Sequence, residues 1–318
     1  MKKVIAAVVL LMAGANVPAQ PAGLVRAAQQ GDAKAQYDLA MAFLTGQGAA
    51  KDASQAFKWF ELSAQQGDAA AQRKLGFMLD AGDGVAKNAI EAVQWYGRAA
   101  EQGDAMAQFM LGFRLMHGQG VAKDEVQAVQ WYRRAAQQDL PRAQLILGIV
   151  LEDGLGVAKD ETEAAQWYRR AAEQGNVSAQ ISLASLLEKG QGVAKDEVQA
   201  LQWYRQAAQQ GDAVGQRRLG RMLEAGRGAA KDEAQAEKWL RRAAAQGDEI
   251  AQMALAVLLA HSNKEAEAYF WSLVAGAKQE ASSGLRDAIA ARLSTTEITQ
   301  AQAQASAWQP KREEPPAR

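Results

Sequence analysis

Two glycine-rich stretches have residue types that could bind a phosphate group. The stretch GQGVAKD occupies residues 118–124 and returns unchanged at 190–196, and spaced glycines followed by a lysine occur in phosphate-binding loops. Such a loop normally occurs once in a chain and follows a β-strand. Here the same spacing recurs at 46/48, 82/84, 118/120, 154/156, 190/192 and 226/228. The recurrence favours a structural turn over a ligand site.

Few other residues could carry catalysis or bind a metal. The chain has two histidines, His117 and His261, and no cysteine, so no thiolate is available as a nucleophile or metal ligand. Neither histidine has a cysteine, histidine or carboxylate that stands out at metal-ligand spacing, and the serine motifs Ser-x-x-Lys and Gly-x-Ser-x-Gly are absent. Glu152 and Asp153 are interpreted as solvated carboxylates at a helix end. We therefore predict a protein without catalytic residues, cofactor or metal.

The composition indicates a folded, helix-rich protein. Hydrophobic residues make up 48% of the 318 residues and charged residues 23%, with 6 prolines, which is typical of an ordered α-rich chain. The 36 basic residues balance 36 acidic ones. Nucleic-acid binding requires a positive excess or a basic stripe, so we expect no nucleic-acid partner.

The amino terminus is typical of a secretory signal peptide. Lysines at 2 and 3 precede the apolar run 4–13, and Val17-Pro18-Ala19 places small residues where a signal peptidase cleaves. The run is shorter than the roughly 20 residues of a membrane span. We predict a signal peptide over 1–19, with Ala15 as the alternative cleavage position, no membrane insertion after cleavage, and a periplasmic or secreted protein.

The elements that must position any site follow from an internal repeat. Tryptophan recurs every 36 residues, and Ala-Gln followed by leucine keeps the same step. Apolar residues at helical spacing lie on both sides of each glycine loop, so each period predicts a helix pair, which we name helix A and helix B. The six regularly spaced tryptophans are Trp59, Trp95, Trp131, Trp167, Trp203 and Trp239.

The ends of the helices have explicit signals. Gly118 is expected to end a helix A in the left-handed conformation, and Asp124 to cap the next helix B. Gly103-Asp104 has the same roles between a helix B and the next helix A. One junction departs from this pattern, because Pro141 occupies the first helical turn there, where proline is tolerated.

Packing is expected to combine large and small residues. The recurrent tryptophan is interpreted as the large core residue between helices. Helix A is expected to approach a neighbouring helix closely at Gly76, Gly112, Gly148 and Gly220.

The strings A-Q-x-x-L-G, G-x-G-V-x-K-D and A-x-x-W-Y-x-x-A-A-x-Q-G resemble the Sel1-like (Sel-one-like, SLR) repeat, a relative of the tetratricopeptide repeat. The resemblance covers about residues 27–277. It implies an all-α, right-handed superhelical solenoid of antiparallel helix pairs, with about seven 36-residue repeats, and a non-catalytic adaptor role. Leucine or phenylalanine occupies a helix A position where the family often has tyrosine.

The predicted organisation has caps at both ends of the repeats. We assign 20–34 to an N-terminal capping half-repeat, 35–277 to the solenoid, 278–308 to C-terminal capping helices and 309–318 to a disordered tail. Ser294 and Glu297 predict a capping box for the last helix.

Positions that vary between repeats locate the candidate site. By analogy with tetratricopeptide proteins, one face of the A helices lines the concave side. We predict that apolar residues on this face anchor a peptide or partner helix, and that two arginines receive an acidic group or a chain terminus. Burial of these apolar residues between successive A helices is the alternative. The candidates are Tyr37, Phe77, Phe109, Phe113, Leu145, Ile149, Arg217 and Arg221.

Two other functional classes remain open. Exposed aromatic residues such as Tyr37 or Phe113 could stack on sugar rings in a cell-wall-associated glycan-binding protein. A peptidoglycan-active enzyme is the other alternative, and the lack of a nucleophile and base pair argues against it. The favoured interpretation is a scaffold that binds a protein or peptide partner.

Overall fold

The computed structural model describes residues 22–276 and 283–311, and in these ranges the chain forms 17 helices and no strand. The seven A helices are α2 (Ala33–Thr45), α4 (Ala69–Ala81), α6 (Ala105–His117), α8 (Pro141–Asp153), α10 (Val177–Lys189), α12 (Ala213–Ala225) and α14 (Glu249–His261). The seven B helices are α3 (Ala53–Gln65), α5 (Ala89–Glu101), α7 (Glu125–Gln137), α9 (Glu161–Glu173), α11 (Glu197–Gln209), α13 (Glu233–Ala245) and α15 (Glu265–Gly276). The flanking helices are α1 (Ala22–Gln29), α16 (Ser283–Ala290) and α17 (Thr295–Ala307).

The chain divides into two compact units, residues 1–159 and 160–318. In the first unit α1 packs on α2, and the pairs α2/α3, α4/α5 and α6/α7 follow one another, with α8 packed on α7. In the second unit α9 packs on α10, and the pairs α10/α11, α12/α13 and α14/α15 follow. Each helix packs mainly on its neighbours in sequence, so each unit is a stack of helix pairs. The predicted all-α solenoid of antiparallel helix pairs is confirmed.

The helix ends confirm the predicted caps. Asp124 accepts from the backbone N–H of Gln127 at 2.8 Å at the start of α7, and Asp104 accepts from Ala107 at 2.8 Å at the start of α6. Gly118 ends α6 with φ of 65°, a conformation that costs glycine little. Leu140, before Pro141, makes no side-chain cap, as expected from the departure at that junction.

From the second loop onward, the second glycine of the loop is a contact between repeats. A Cβ placed on Gly120 would lie 2.2 Å from the backbone oxygen of Ala89, in the first turn of the preceding B helix. Gly84 meets Ala53 and Gly156 meets Glu125 in the same way. Only a hydrogen fits there. The stretch GQGVAKD therefore forms the turn of one repeat and also packs directly against the repeat before it.

In most repeats the most deeply buried aromatic residue is the one that directly follows the tryptophan. Tyr96 and Tyr132 are 0% and 1% exposed, whereas Trp131 remains half-buried. Trp59, Trp95 and Trp167 are 6%, 8% and 8% exposed and belong to the core as predicted, but the residue after the tryptophan is buried more deeply. Tyrosine, one residue later, points into the space left by a helix A glycine: a Cβ on Gly76 would lie 2.4 Å from the ring of Tyr96.

An arginine covers one face of the recurrent tryptophan in several repeats. Arg98 stacks over Trp95 and Arg134 over Trp131, each with Cζ 4.5 Å from the ring centroid. Because the arginine follows three residues later on the same helix, it covers one face of the indole while its charge stays at the surface. The tryptophan thus has a packed side and a side shielded by a cation.

A row of buried glutamines links successive repeats. The side-chain N–H of Gln108 donates to the carbonyl of Ala100 at 3.1 Å, and its Oε1 accepts from Gln138 at 2.9 Å. Buried amides need such partners, and this arrangement explains why Ala-Gln repeats in the sequence. The equivalent buried glutamines are Gln36, Gln72, Gln144, Gln180, Gln216 and Gln252.

The ends of the repeat array carry extra helices. Ala28 of α1 is 1% exposed. Helix α17 packs on α15 and begins with the predicted capping box of Ser294 and Glu297. Residues 309–311 of the assigned tail are described, and the N–H of Lys311 donates to the carbonyl of Ala245 at 2.8 Å. The predicted signal peptide and residues 277–282 and 312–318 lie outside the described part of the chain.

Candidate functional site

The apolar candidates of the first unit form what we call the A-helix row: Tyr37, Phe77, Phe109, Phe113, Leu145 and Ile149. They lie on α2, α4, α6 and α8, and every one is half-buried. The row is therefore neither a fully solvated stripe nor a sealed core. An apolar side chain that keeps part of its surface in water retains area that a partner can bury.

Buried rings hold three aromatic members of the row in place. Tyr37 contacts Phe60 with ring centroids 5.4 Å apart, Phe77 contacts Tyr96 at 5.6 Å, and Phe109 contacts Tyr132 at 5.7 Å. These are edge-on or tilted contacts, a favourable geometry for aromatic pairs. Each ring of the row is thus oriented by the core before any ligand binds.

Phe113 has a different environment at the end of α6. Its ring lies 4.3 Å from the ring of His117, and Arg114 approaches it with Cζ at 5.9 Å. The Nδ1 atom of His117 is 2.9 Å from the carbonyl of Phe113. His117 is therefore engaged at the C-terminal end of α6 through the carbonyl of Phe113.

Arg217 is occupied within its own unit. Its Nε donates to Asp248 Oδ2 at 3.0 Å, and both side chains are 11% exposed. Asp248 also accepts from the backbone N–H of Ala251 and so caps α14. In the first unit Arg73 and Asp104 form the same bond at 2.9 Å. Arg217 thus joins two successive A helices.

Arg221 lines a charged cleft at the ends of α12 and α14. The cleft has a volume of about 420 Å³, with Leu258 and His261 on its α14 side. Arg221 is exposed, and no salt bridge in the described residues includes it. The neighbouring cations are paired: Arg227 contacts Glu188 at 2.7 Å, and Lys231 contacts Glu233 at 2.6 Å. Arg221 is consequently the cation of this cleft that is available to an incoming anion.

The described residues offer no metal cluster of three or more histidine, cysteine or carboxylate side chains. Burial is the first cause that raises the pKa of Tyr96, Tyr132 and Tyr204, so these phenols are held protonated and are unsuited to act as bases at neutral pH. In the described ranges no helix is both long and apolar enough to cross a membrane.

The structure identifies structural residues that sequence reasoning did not select. The side-chain hydrogen bonds of glutamines such as Gln108 and the arginine–aspartate pairs such as Arg73–Asp104 both join repeats. Both are visible in the sequence, because glutamines recur at the end of helix B at the repeat interval and the arginine and aspartate are 31 residues apart in both pairs. These positions hold successive repeats together, whereas the A-helix row and Arg221 keep part or all of their side-chain surface in contact with solvent.

Paired helices of constant length, stacked through repeated contacts, define the class as an α-solenoid repeat protein. A family model, the Sel1 repeat, matches six consecutive segments: 33–68, 69–104, 105–140, 141–176, 177–212 and 213–248. The chain therefore belongs to the Sel1 repeat family, whose members are helical-repeat scaffolds and generally protein-interaction modules. This confirms the resemblance found in the sequence.

Two solved structures of repeat proteins are similar to this chain. A Sel1 repeat protein from Oxalobacter formigenes is 33% identical, with a TM-score of 0.64, over 77% of this chain and 98% of the other. The protein c5321, a protective antigen of uropathogenic Escherichia coli with an SLR fold, is 28% identical, with a TM-score of 0.45, over 90% of this chain and 78% of the other. No curated protein sequence matches this chain at a significant level.

Proposed function

We propose that this protein is an exported, non-catalytic scaffold that binds a peptide or helix of a partner protein through the A-helix row. The observation that carries the proposal is the state of Phe77, Phe109 and Phe113: each is half-buried, and core or neighbouring rings fix its orientation. Pre-oriented aromatic side chains lose little conformational entropy on binding, which suits them as anchors.

The type of partner follows from the chemistry of the row. Five of its six members are hydrocarbon side chains and the sixth is Tyr37. They lie on A helices, which the family resemblance assigns to the concave side of the solenoid. A partner segment with apolar side chains on one face, either extended or helical, would bury the exposed part of these residues.

The second unit supplies a separate contact for an acidic group. Arg221 is exposed and lines the cleft beside His261, whereas Arg217 already binds Asp248. We therefore assign the predicted acidic contact to Arg221 alone. The guanidinium group of an arginine can bind a carboxylate by donating two parallel hydrogen bonds to it.

Export is proposed from the sequence of residues 1–19. A basic start, a short apolar run and small residues before Ala19 describe a segment that is removed on secretion. Expression of the full chain in a bacterium, followed by fractionation and mass spectrometry of the N-terminus, tests this. A periplasmic or secreted product that begins at Gln20 supports export, and a cytoplasmic product that retains Met1 contradicts it.

Photo-crosslinking tests the binding surface. A photoreactive phenylalanine analogue at position 109 should capture a protein from an envelope extract, and the Phe113→Ala/Ile149→Ala variant should reduce the yield of that crosslink. The matched control is the same probe at Val126, which is 59% exposed on helix α7 and outside the row. Equal capture from both positions, or a crosslink that survives the double substitution, would rule out the row as the binding surface.

A further inference from the structure

The last helix is attached to the second unit by a narrow strip. In α17, Ala301 is buried and Ile298 and Ala305 are half-buried, as is Trp308 directly after the helix, while the positions between them are exposed. Their spacing places them on one face of a helix. Repeat helices such as α14 bury several residues, whereas Ala301 is the buried residue of α17. The attachment of α17 is correspondingly slight.

The segment after α17 binds the repeats as a ligand would. Trp308 packs against Trp271 of α15 with ring centroids 6.1 Å apart and planes at 74°. Pro310 lies against Gly247, where an added Cβ would come within 3.2 Å of the proline ring. Lys311 donates its backbone N–H to the carbonyl of Ala245 at 2.8 Å. An aromatic anchor, a proline and a backbone hydrogen bond are the elements of peptide recognition.

This contact is incomplete. The indole N–H of Trp271 is buried with no hydrogen-bond partner, which carries a free-energy cost. A cleft of about 470 Å³ stays open where Trp308 and Ser306 face Gln252 and Val274. The bound state of the segment therefore leaves a donor unsatisfied and apolar surface unfilled.

We propose that Ala245, Gly247 and Trp271 mark an exchangeable binding site, which we name the C-terminal site, for residues 295–311. In this structure the site holds the segment of its own chain, and it accepts the same segment from a second copy when its own segment is detached. The same segment is the proposed occupant because the structure shows how it binds: Trp308 packs on Trp271, and the backbone N–H of Lys311 donates to Ala245. This site is distinct from the A-helix row.

Binding of a labelled synthetic peptide of residues 295–311 tests the proposal by fluorescence anisotropy. The Trp308→Ala/Lys311→Pro chain loses the aromatic anchor and the backbone donor of its own segment, so it should bind the peptide at least about tenfold more tightly than the unmodified chain. The Gln304→Ala chain is the matched control, since Gln304 is exposed, and should behave like the unmodified chain. A peptide that carries Trp308→Ala should not bind.

Two results would overturn the proposal. One is equal binding of the peptide to the unmodified chain and to the double variant, or binding to neither, with helix content unchanged by circular dichroism. The second measurement needs no substitution: amide hydrogen exchange in α17 of the unmodified chain should be at least about 100-fold faster than in α14. Equal protection of these two helices would show that the segment does not detach.

Discussion

Arg217 and Arg221 lie four residues apart on α12, and the structure predicts that the same substitution destabilises the protein at Arg217 but hardly affects its stability at Arg221. In Arg217→Glu, a carboxylate replaces the partner of Asp248 in a pair whose side chains are both 11% exposed. In Arg221→Glu, the change falls on an exposed side chain. The two variants have the same change in charge, so a difference between them reports the local structure.

The expected loss in the free energy of unfolding for Arg217→Glu has two contributions. Loss of a hydrogen bond between charged groups costs about 1.5–3 kcal/mol. Two carboxylates about 5 Å apart repel by about 3 kcal/mol at an effective dielectric constant of about 20, and rotation of the new side chain toward water relieves much of this. We expect a loss of about 3 kcal/mol in the free energy of unfolding. For Arg221→Glu, a surface change, we expect less than about 0.5 kcal/mol.

Urea unfolding followed by far-UV circular dichroism measures both variants. Arg73→Glu provides an independent copy of the test, because Arg73 and Asp104 form the same pair in the first unit. It should lower the midpoint and broaden the transition if the units unfold separately. If Arg217→Glu unfolds within about 0.5 kcal/mol of the unmodified chain, the pair contributes nothing to stability and the assignment of Arg217 to packing is refuted.

Three further substitutions test the repeat contacts. Gly120→Ala should cost about 3 kcal/mol, because a Cβ would meet the Ala89 oxygen; Gly103→Ala, with φ of 94° and open space around it, should cost about 1 kcal/mol, and equal losses in urea unfolding would contradict the proposed contact. Gln108→Leu should cost about 2 kcal/mol in the same assay, since Gln138 loses its acceptor; no loss would show that the glutamine row is dispensable. Burial raises the pKa of Tyr132 in the folded chain, whereas in the unfolded chain the phenol releases its proton near pH 10. The contribution of Tyr132 to the free energy of unfolding is therefore complete below about pH 10 and is lost as the pH rises further. Tyr132→Phe should make the fall in stability above about pH 10 shallower, by up to about 1 kcal/mol per pH unit in urea titrations, and an unchanged slope would contradict burial as the cause.

The helices and their ends could be predicted because each depends on nearby residues. Glycine in a left-handed conformation and an aspartate cap act within one or two turns, so Gly118 and Asp124 could be assigned from their own neighbourhood. The second loop glycine was harder. The residues around Gly120 predict only a turn. Its close contact is with Ala89, 31 residues earlier in the chain, and this contact is visible only once the repeats are stacked.

The choice between tryptophan and tyrosine shows where periodicity stops being informative. Trp95 and Tyr96 are adjacent, so both recur at the repeat interval and both suit an apolar face. Both are buried, with Trp95 8% and Tyr96 0% exposed, but their partners differ. A helix A glycine leaves room for the tyrosine ring, while Arg98 stacks over the indole of Trp95. The sequence contains both partners, but which aromatic residue meets which partner depends on the packing of two helices.

Variation between repeats proved an incomplete guide to the candidate site for a related reason. Arg73 and Arg217 occupy the position equivalent to Phe109, and each pairs with the aspartate that caps the next helix A. Arg221 occupies the position equivalent to Phe113 and remains exposed. A variable position can therefore serve the joint between repeats or face a partner. What separates the two outcomes is whether a complementary charge lies on the next helix, and this test leaves Arg221 and the aromatic members of the A-helix row as the residues on which binding should depend.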